Sequence, residues 1–295
     1  MNDFDYLAQL PGEGREQDWI RKRLGTLSVR EGYALTAAVT GSPPENAVQA
    51  INRLQSLDEY MVCIDAGSYE ALGRRYLLND TRMPVDALAF ADLESVGRQY
   101  EDKHPGLFIG SCYVQYPDAF PEQVYRSGMA LPADEGWSVK VKLASPAVPE
   151  GVWLRLPGLD EYGDESSTEE ALALRELRVR RWDECALVDA QCVLPEAGDL
   201  VAQYGDNIAD LIYDGVQLGF VLDEKGQGSS RFMQRYTSAL ALEGCHDLRL
   251  ALDISQNLNR YDWMQRADLE ASGMALLMDK GVSEELIRAS GIDLA

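Results

Sequence analysis

A pattern returns along this chain after about 200 residues, and it restricts the fold more than any single motif does. Ala50, Leu57 and Tyr60 are matched by Ala251, Leu258 and Tyr261 at an offset of 201. Gly73 and Leu77 match Gly273 and Leu277 at 200, and Asp92-Leu93 matches Asp293-Leu294 at 201 again, a slip of a single residue that is then regained. In each copy a helix leads to the tyrosine, and a short strand, an Ala, an acidic or turn residue and a further helix follow it. A shared order of this kind is the mark of duplication. The chain is therefore read as two related units.

Local patterns fill in the elements. Residues 1–58 read as mostly helical. Pro43-Pro44 is expected to open a helix after Gly41-Ser42, with Ala47, Val48, Ile51 and Leu54 at helical spacing. Tyr60 to Ile64 is a short strand candidate. Asp65-Ala66-Gly67-Ser68 is a turn, with Ser68 placed to cap a helix from Tyr69 to about Leu78. A second short helix is expected near Leu93 to Tyr100. His104-Pro105-Gly106 turns the chain into a hairpin over Leu107 to Val114. Pro117, Pro121 and Pro132, with Gly128, Asp134, Glu135 and Gly136, mark a domain boundary.

Beyond it Trp137 to Leu143 alternates with period 2, which predicts Val139, Val141 and Leu143 inward and Lys140 and Lys142 outward. Gly151 to Pro157 is a second strand and Cys185 to Val193 a third. Asp160 to Thr168 is an acidic loop, and Glu169 to about Leu177 a short helix. From Glu196 to Leu258 the spacing is helical again, and Gly226-Gln227-Gly228-Ser229-Ser230 reads as a loop between two helices. These elements define an α+β fold, with several small antiparallel-sheet and helical subdomains in an elongated arrangement. The expected parts are 1–117 (helical, then α+β), a linker 118–136, a strand-rich subdomain 137–194, a helical middle subdomain 195–258, and the start of a final α+β subdomain 259–295.

Charge sets the class of partner. The 295 residues carry 27 Lys+Arg against 49 Asp+Glu, a formal net charge of −22. A surface this acidic repels nucleic acid and anionic membrane, so direct binding to either is not expected and a basic partner fits. No apolar run approaches the roughly 18–20 residues of a membrane span. The acidic start Met1-Asn2-Asp3-Phe4-Asp5 lacks the features of a signal peptide, which points to a cytoplasmic protein.

Catalytic signatures are weak. Cys63, Cys112, Cys185, Cys192 and Cys245 form no CxxC and read as free thiols in a reducing compartment. The histidines are His104 and His246, and neither has close-spaced partners for zinc or a nucleophile arrangement. His246 follows Cys245, but adjacent helical residues do not face each other. The Gly226–Ser230 run lacks the phosphate-loop spacing. No enzyme activity, cofactor or metal is expected.

The first copy resembles the later part of the ArdA antirestriction family. The residues that carry this are Leu72-Gly73-Arg74-Arg75-Tyr76-Leu77-Leu78, Pro84, and Asp92-Leu93-Glu94-Ser95-Val96-Gly97-Arg98, similar to that family's Leu-Gly helix and Asp-x-Glu-x-x-Gly-Arg stretch. Cys112-Tyr113-Val114 is similar to its closing segment. From Trp137 onward the chain resembles the start of the same family. Gly151-Val152-Trp153-Leu154-Arg155-Leu156-Pro157 looks like its Gly-x-Trp-Leu-x-Leu-Pro strand, and Asp183 to Gln191 like its acidic strand, with Gln191 in place of the last acid. Asn207 to Leu211 sits where the family's helical middle begins. By this resemblance residues 1–117 are a unit lacking its strand-rich part, and 137–295 one nearly complete unit. The chain departs from the family in length, in its basic runs Arg21-Lys22-Arg23 and Arg178 to Arg181, and in stopping at Asp293-Leu294-Ala295, which points to a truncated chain.

The resemblance implies a DNA mimic that occupies the DNA groove of type I restriction–modification enzymes. Residues 1–117 hold 17 acids and 11 bases, and residues 118–295 hold 32 and 16, so a net of −16 sits on the more complete unit. That excess would match roughly 27 Å of duplex at about one charge per 1.7 Å, and a symmetric homodimer would double the span. The candidate phosphate-mimicking carboxylates are Asp160, Glu161, Asp164, Glu165, Glu169, Glu170, Asp183, Glu184, Asp189, Glu196, Asp199, Asp206, Asp210, Asp214, Asp223 and Glu224. Tyr204, Tyr213 and Trp153 read as core or interface residues. The other readings are an acidic binding module of a mobile element with a different basic partner, and an enzyme of unrecognised class.

Overall fold

A computed structural model describes residues 4–119, 123–132, 139–156, 168–192, 194, 199–205, 207–226, 230–245, 247–261 and scattered positions between 273 and 288. The fold is α+β, with helices and two small three-stranded sheets. The chain divides into two compact units. The first is Met1–Asp134 with Ser145–Leu154 and Gly158–Arg181; the second is Glu135–Ala144 with Arg155–Pro157 and Trp182–Ala295.

In the first unit, α1 (Gly14–Leu24), α2 (Val29–Gly41) and α3 (Ala47–Gln55) surround Leu7, Ile20, Leu35, Ile51, Leu54 and Leu57, all fully buried. α2 and α3 start on side chains that satisfy orphan N–H groups, and at the start of α1 the Glu16 carboxylate accepts from Glu13 N at 2.8 Å. Ser28 Oγ accepts from Glu31 N at 3.1 Å while the Glu31 carboxylate accepts from Ser28 N at 2.8 Å, a reciprocal box. The start of α3 differs from the proline-led expectation. Asn46 caps it, its Oδ1 accepting from Gln49 N at 3.0 Å, and Pro43-Pro44 lie before the helix. An amide oxygen satisfies a donor that proline can only leave out.

The same unit continues with β1 (Met61–Cys63), α4 (Tyr69–Asn79), α5 (Leu93–Lys103), β2 (Gly106–Ile109) and β3 (Cys112–Gln115). The sheet order is β1-β3-β2, antiparallel, with Val62 and Leu107 both opposite Val114. The Ser68 cap expected from sequence is present, and Asp92 caps the following helix. Ser68 Oγ accepts from Ala71 N at 3.2 Å and Asp92 Oδ1 from Ser95 N at 3.1 Å. Helices α4 and α5 touch backbone to backbone. A Cβ on Gly73 would lie 2.0 Å from the Leu93 carbonyl oxygen, and one on Gly97 2.0 Å from that of Tyr69.

Residues 123–132 do not behave as a free linker. Tyr125 is buried; its N–H donates to Asn52 Oδ1 at 2.8 Å, its carbonyl accepts from Asn52 Nδ2 at 2.9 Å, and its hydroxyl donates to Glu16 at 2.9 Å. Trp19 Nε1 donates to the Pro132 carbonyl at 3.0 Å. Apolar and hydrogen-bonding groups outweigh the prolines, which shape the segment without detaching it. Helix α6 (Thr168–Glu176) packs on α2, so the first unit, after ending its first stretch at Asp134, takes up the chain again at Ser145–Leu154 and Gly158–Arg181.

The second sheet has the order β5-β4-β6, from β4 (Val139–Ser145), β5 (Val148–Leu156) and β6 (Ala186–Gln191). β4 and β6 are antiparallel, with a register irregularity at Lys142/Leu143. Lys140 was expected outward but is 4% exposed. β4 is the central strand and is covered on both faces, so period-2 exposure does not apply to it. The second unit adds α7 (Asp199–Tyr204), α8 (Ile208–Gly226), α9 (Ser230–Glu243) and α10 (Leu248–Gln256).

α3 and the 3₁₀ turn Leu57–Glu59 have α10 and the turn Leu258–Tyr261 at 201 residues further on, and α2 and α9 begin at Val29 and Ser230. Ala47, Ala50 and Leu57 are buried, as are Leu248, Ala251 and Leu258. Most of the expected final subdomain, 259–295, lies outside the described residues. Among those described, no helix is long and apolar enough to cross a membrane.

The glycine crossing yields a direct test by urea unfolding. Gly73→Ala and Gly97→Ala should each cost about 2 kcal/mol or more, because carbonyl oxygens have to retreat. Gly32→Ala, in α2 with nothing within 4 Å of the added carbon, should instead stabilise by about 0.5–1 kcal/mol.

Candidate partner surface

The acidic residues proposed from sequence separate into distinct environments. Asp160, Glu161, Asp164, Glu165, Glu196 and Asp206 lie outside the described residues, and Asp199 and Asp223 fall in α7 and α8 with their side chains outside the description. Glu169 and Asp214 are 1% and 5% exposed, which removes both from a surface set. Glu169 Oε1 accepts from Ser28 Oγ at 2.8 Å. Asp214 Oδ2 accepts from Arg249 Nε at 2.7 Å and from the Tyr204 hydroxyl at 3.0 Å. Both sit on the inward stripe of a helix, where a carboxylate needs donors to be tolerated. Glu170 is half-buried.

Asp183, Glu184, Asp189, Asp210 and Glu224 are exposed, all in the second unit. Asp183 and Glu184 lie on the 3₁₀ turn Trp182–Glu184, which packs against α8. Asp189 lies on the edge strand β6 and accepts from the Ala190 N–H at 2.8 Å. Asp210, in the first turn of α8, is 3.4 Å from Arg249 Nη2. Glu224 lies near the end of the same helix.

Helix α8 is held by its other face. Leu211, Leu218 and Leu222 are fully buried, and a Cβ on Gly215 would reach Leu156 Cδ1 at 2.5 Å and Val139 Cγ1 at 3.6 Å. α10 packs beside it. The cap of α10 is charged: Asp247 Oδ1 accepts from Arg249 N at 2.6 Å and from Leu250 N at 3.1 Å, and Oδ2 accepts from Gln203 Nε2 at 2.8 Å. Burial opposes the charge on Asp247, but the Leu250 N–H, the Gln203 amide, the Arg249 N–H and the Arg249 guanidinium together hold its carboxyl below the usual range.

Five further side chains acquire environments that the sequence left open. Tyr204 and Trp153 are buried, whereas Tyr213 is 65% exposed. Arg249 is the cation that joins α10 to Asp210 and Asp214 on α8. The run Arg21-Lys22-Arg23 does not present three surface bases, because Arg23 is buried in a bidentate pair with Glu31.

The remaining catalytic candidates stay dispersed. All five cysteines are free thiols; burial raises Cys112, Cys185 and Cys245, and takes Cys192 up to about 11, away from thiolate chemistry. The His104 ring packs on Tyr100, with centroids 4.7 Å apart, and His246 lies outside the described residues. Among the described residues no group of three or more His, Cys, Asp or Glu could hold a metal ion. An open cavity of about 470 Å³ in the first unit is lined by Asn46, Gln49, Gln123, Tyr125, Arg126 and Ser127 with Val48, and has no paired acid and base.

No protein-family model matches the chain, and no curated protein or solved structure shows significant similarity to it.

The Asp247 cap predicts an acid-limited stability. Its folded pKa lies below the unfolded value of about 3.9, so its contribution is complete well above pH 4 and is lost as pH falls through the folded value. Asp247→Asn keeps a capping oxygen without the charge. It should cost about 0.5–1 kcal/mol at pH 7 and converge on the parent in strong acid, as read by circular-dichroism melts across pH.

Proposed function

We propose that this chain is an acidic inhibitor that occupies the DNA-binding groove of a type I restriction–modification enzyme and performs no chemistry. The observation that carries this reading is the acid excess of residues 118–295, 32 acids against 16 bases. Carboxylates there stand in for phosphates and meet the Arg and Lys of the groove through charge-assisted hydrogen bonds. The resemblance of the Leu72–Arg98 and Gly151–Gln191 stretches to the ArdA family supports the same reading. Asp183, Glu184, Asp189 and Glu224 are the described residues best placed for this role, since they are exposed. Such a target places the protein in the cytoplasm, in keeping with five free thiols.

A second reading, an acidic module for a different basic partner, is favoured by one feature. Tyr213 and Phe220 are 65% and 57% exposed on α8, and a phosphate mimic has no use for exposed aromatic rings.

Purified protein should block DNA cleavage by a type I enzyme, and the block should weaken as salt rises. Combining Asp183→Asn, Glu184→Gln, Asp189→Asn and Glu224→Gln should weaken inhibition roughly 10–100-fold, taking about 0.5 kcal/mol or somewhat more per exposed charge. Absence of inhibition at low salt across several type I enzymes overturns the proposal.

A further inference from the structure

Helix α8 presents one continuous outward stripe: Asp210, Tyr213, Gln217, Phe220 and Glu224, all exposed. Their spacing of three and four residues places them on one side of the helix. The two rings stand about 10 Å apart along the axis, two helical turns. The stripe is not something the helix needs in order to fold, since Leu211, Leu218 and Leu222 already bury the opposite side. The contrast with α1, which likewise precedes a paired helix in its own unit, is direct: α1 exposes Arg15, Asp18, Arg21 and Lys22 and no aromatic residue.

Acidic side chains border the two rings, and Arg249 lies at the Asp210 end. Asp210 and Glu224 bound the stripe, and the turn carrying Asp183 and Glu184 packs against the same helix. The lysine of α8, Lys225, donates to the Ser255 carbonyl at 3.2 Å, and Arg249 is engaged with Asp214 and Asp210. An apolar centre within an acidic border complements a helix that has an aliphatic stripe between Lys and Arg residues.

We propose that the exposed face of α8 docks a basic amphipathic helix of a partner protein, with Tyr213 and Phe220 as its apolar anchors. This rests on the second unit being a partner-binding surface, though not on a restriction enzyme being the partner. The carboxylates then speed and orient the encounter, and the rings supply the part of the affinity that salt does not screen.

The test uses the full chain and two labelled synthetic peptides of identical Lys/Leu composition. One is patterned as an amphipathic helix and the other is scrambled, and fluorescence anisotropy reads binding at low and at physiological salt. The chain should prefer the patterned peptide by roughly tenfold. Tyr213→Ser with Phe220→Ser should abolish that preference while leaving the melting curve unchanged, because neither ring is in the core. Asp183→Asn, Glu184→Gln and Glu224→Gln together should weaken both peptides alike. Equal binding of the two peptides, or a preference that survives loss of both rings, overturns the proposal. So does sedimentation showing a dimer that the ring variant converts to monomer, because a second copy then covers the face. A chain that fails to inhibit type I enzymes yet discriminates the peptides refutes the proposed target and leaves the docking face standing.

Discussion

The first unit is closed by a buried charged cluster, and its remaining contacts presuppose that closure. Arg23 and Glu31 form a bidentate pair between α1 and α2, and both are nearly inaccessible to solvent. Ser28, whose hydroxyl caps α2, also donates to Glu169 on α6, from 141 residues further along the chain. Ser28 bridges in parallel to Trp153 on β5 as well. Desolvating these charges is expensive, and a pair of this kind adds little net stability over an apolar substitute. Its effect is on position. Docking of α6 must bring Glu169 to the Ser28 hydroxyl, whereas an apolar contact would accept several positions. Arg175, one helical face further on, can then reach Ser111 Oγ and Asp65 at 2.8 and 2.7 Å.

The two units handle similar helices differently. α3 and α10 have equal length and both start on a side-chain cap, amide Asn46 in one and carboxylate Asp247 in the other. In the first unit, residues 123–132 lie over the α1 and α3 side chains, with Asn52 holding the Tyr125 backbone at both its N–H and its carbonyl. In the second, Asp253, which lies 201 residues beyond Asn52, accepts from Asn257 and Arg260 instead. The first surface is thus finished by the chain itself. The second keeps aromatic and acidic groups towards solvent.

Much of the fold was legible where one local interaction decides it. The Ser68 cap follows from sequence because its acceptor and the Ala71 N–H are three residues apart. The strand at Met61–Cys63 and the hairpin of β2 and β3 are likewise bounded by turn residues on both sides. Legibility fails where a neighbour remote in sequence intervenes. Lys140 alternates correctly but lies in a central strand. Glu169 and Asp214 look like ordinary acids of an acidic chain until Ser28, Tyr204 and Arg249 come within hydrogen-bonding distance. For α8 the difficulty is different. Apolar residues occur on both sides of the helix, so periodicity alone does not say whether Leu218 or Phe220 faces the core.

The contact of α4 with α5 has a consequence for motion. Helices that pack through side chains can slide by trading rotamers at small cost, which is how shear movements proceed. At Gly73 and Gly97 there is no intervening side chain to trade, and each backbone lies against a carbonyl of the other helix. The pair therefore moves as one body. The 3₁₀ turn Val85–Phe90 that joins the two helices, with Phe90 92% exposed at its end, is carried on a base that cannot shear.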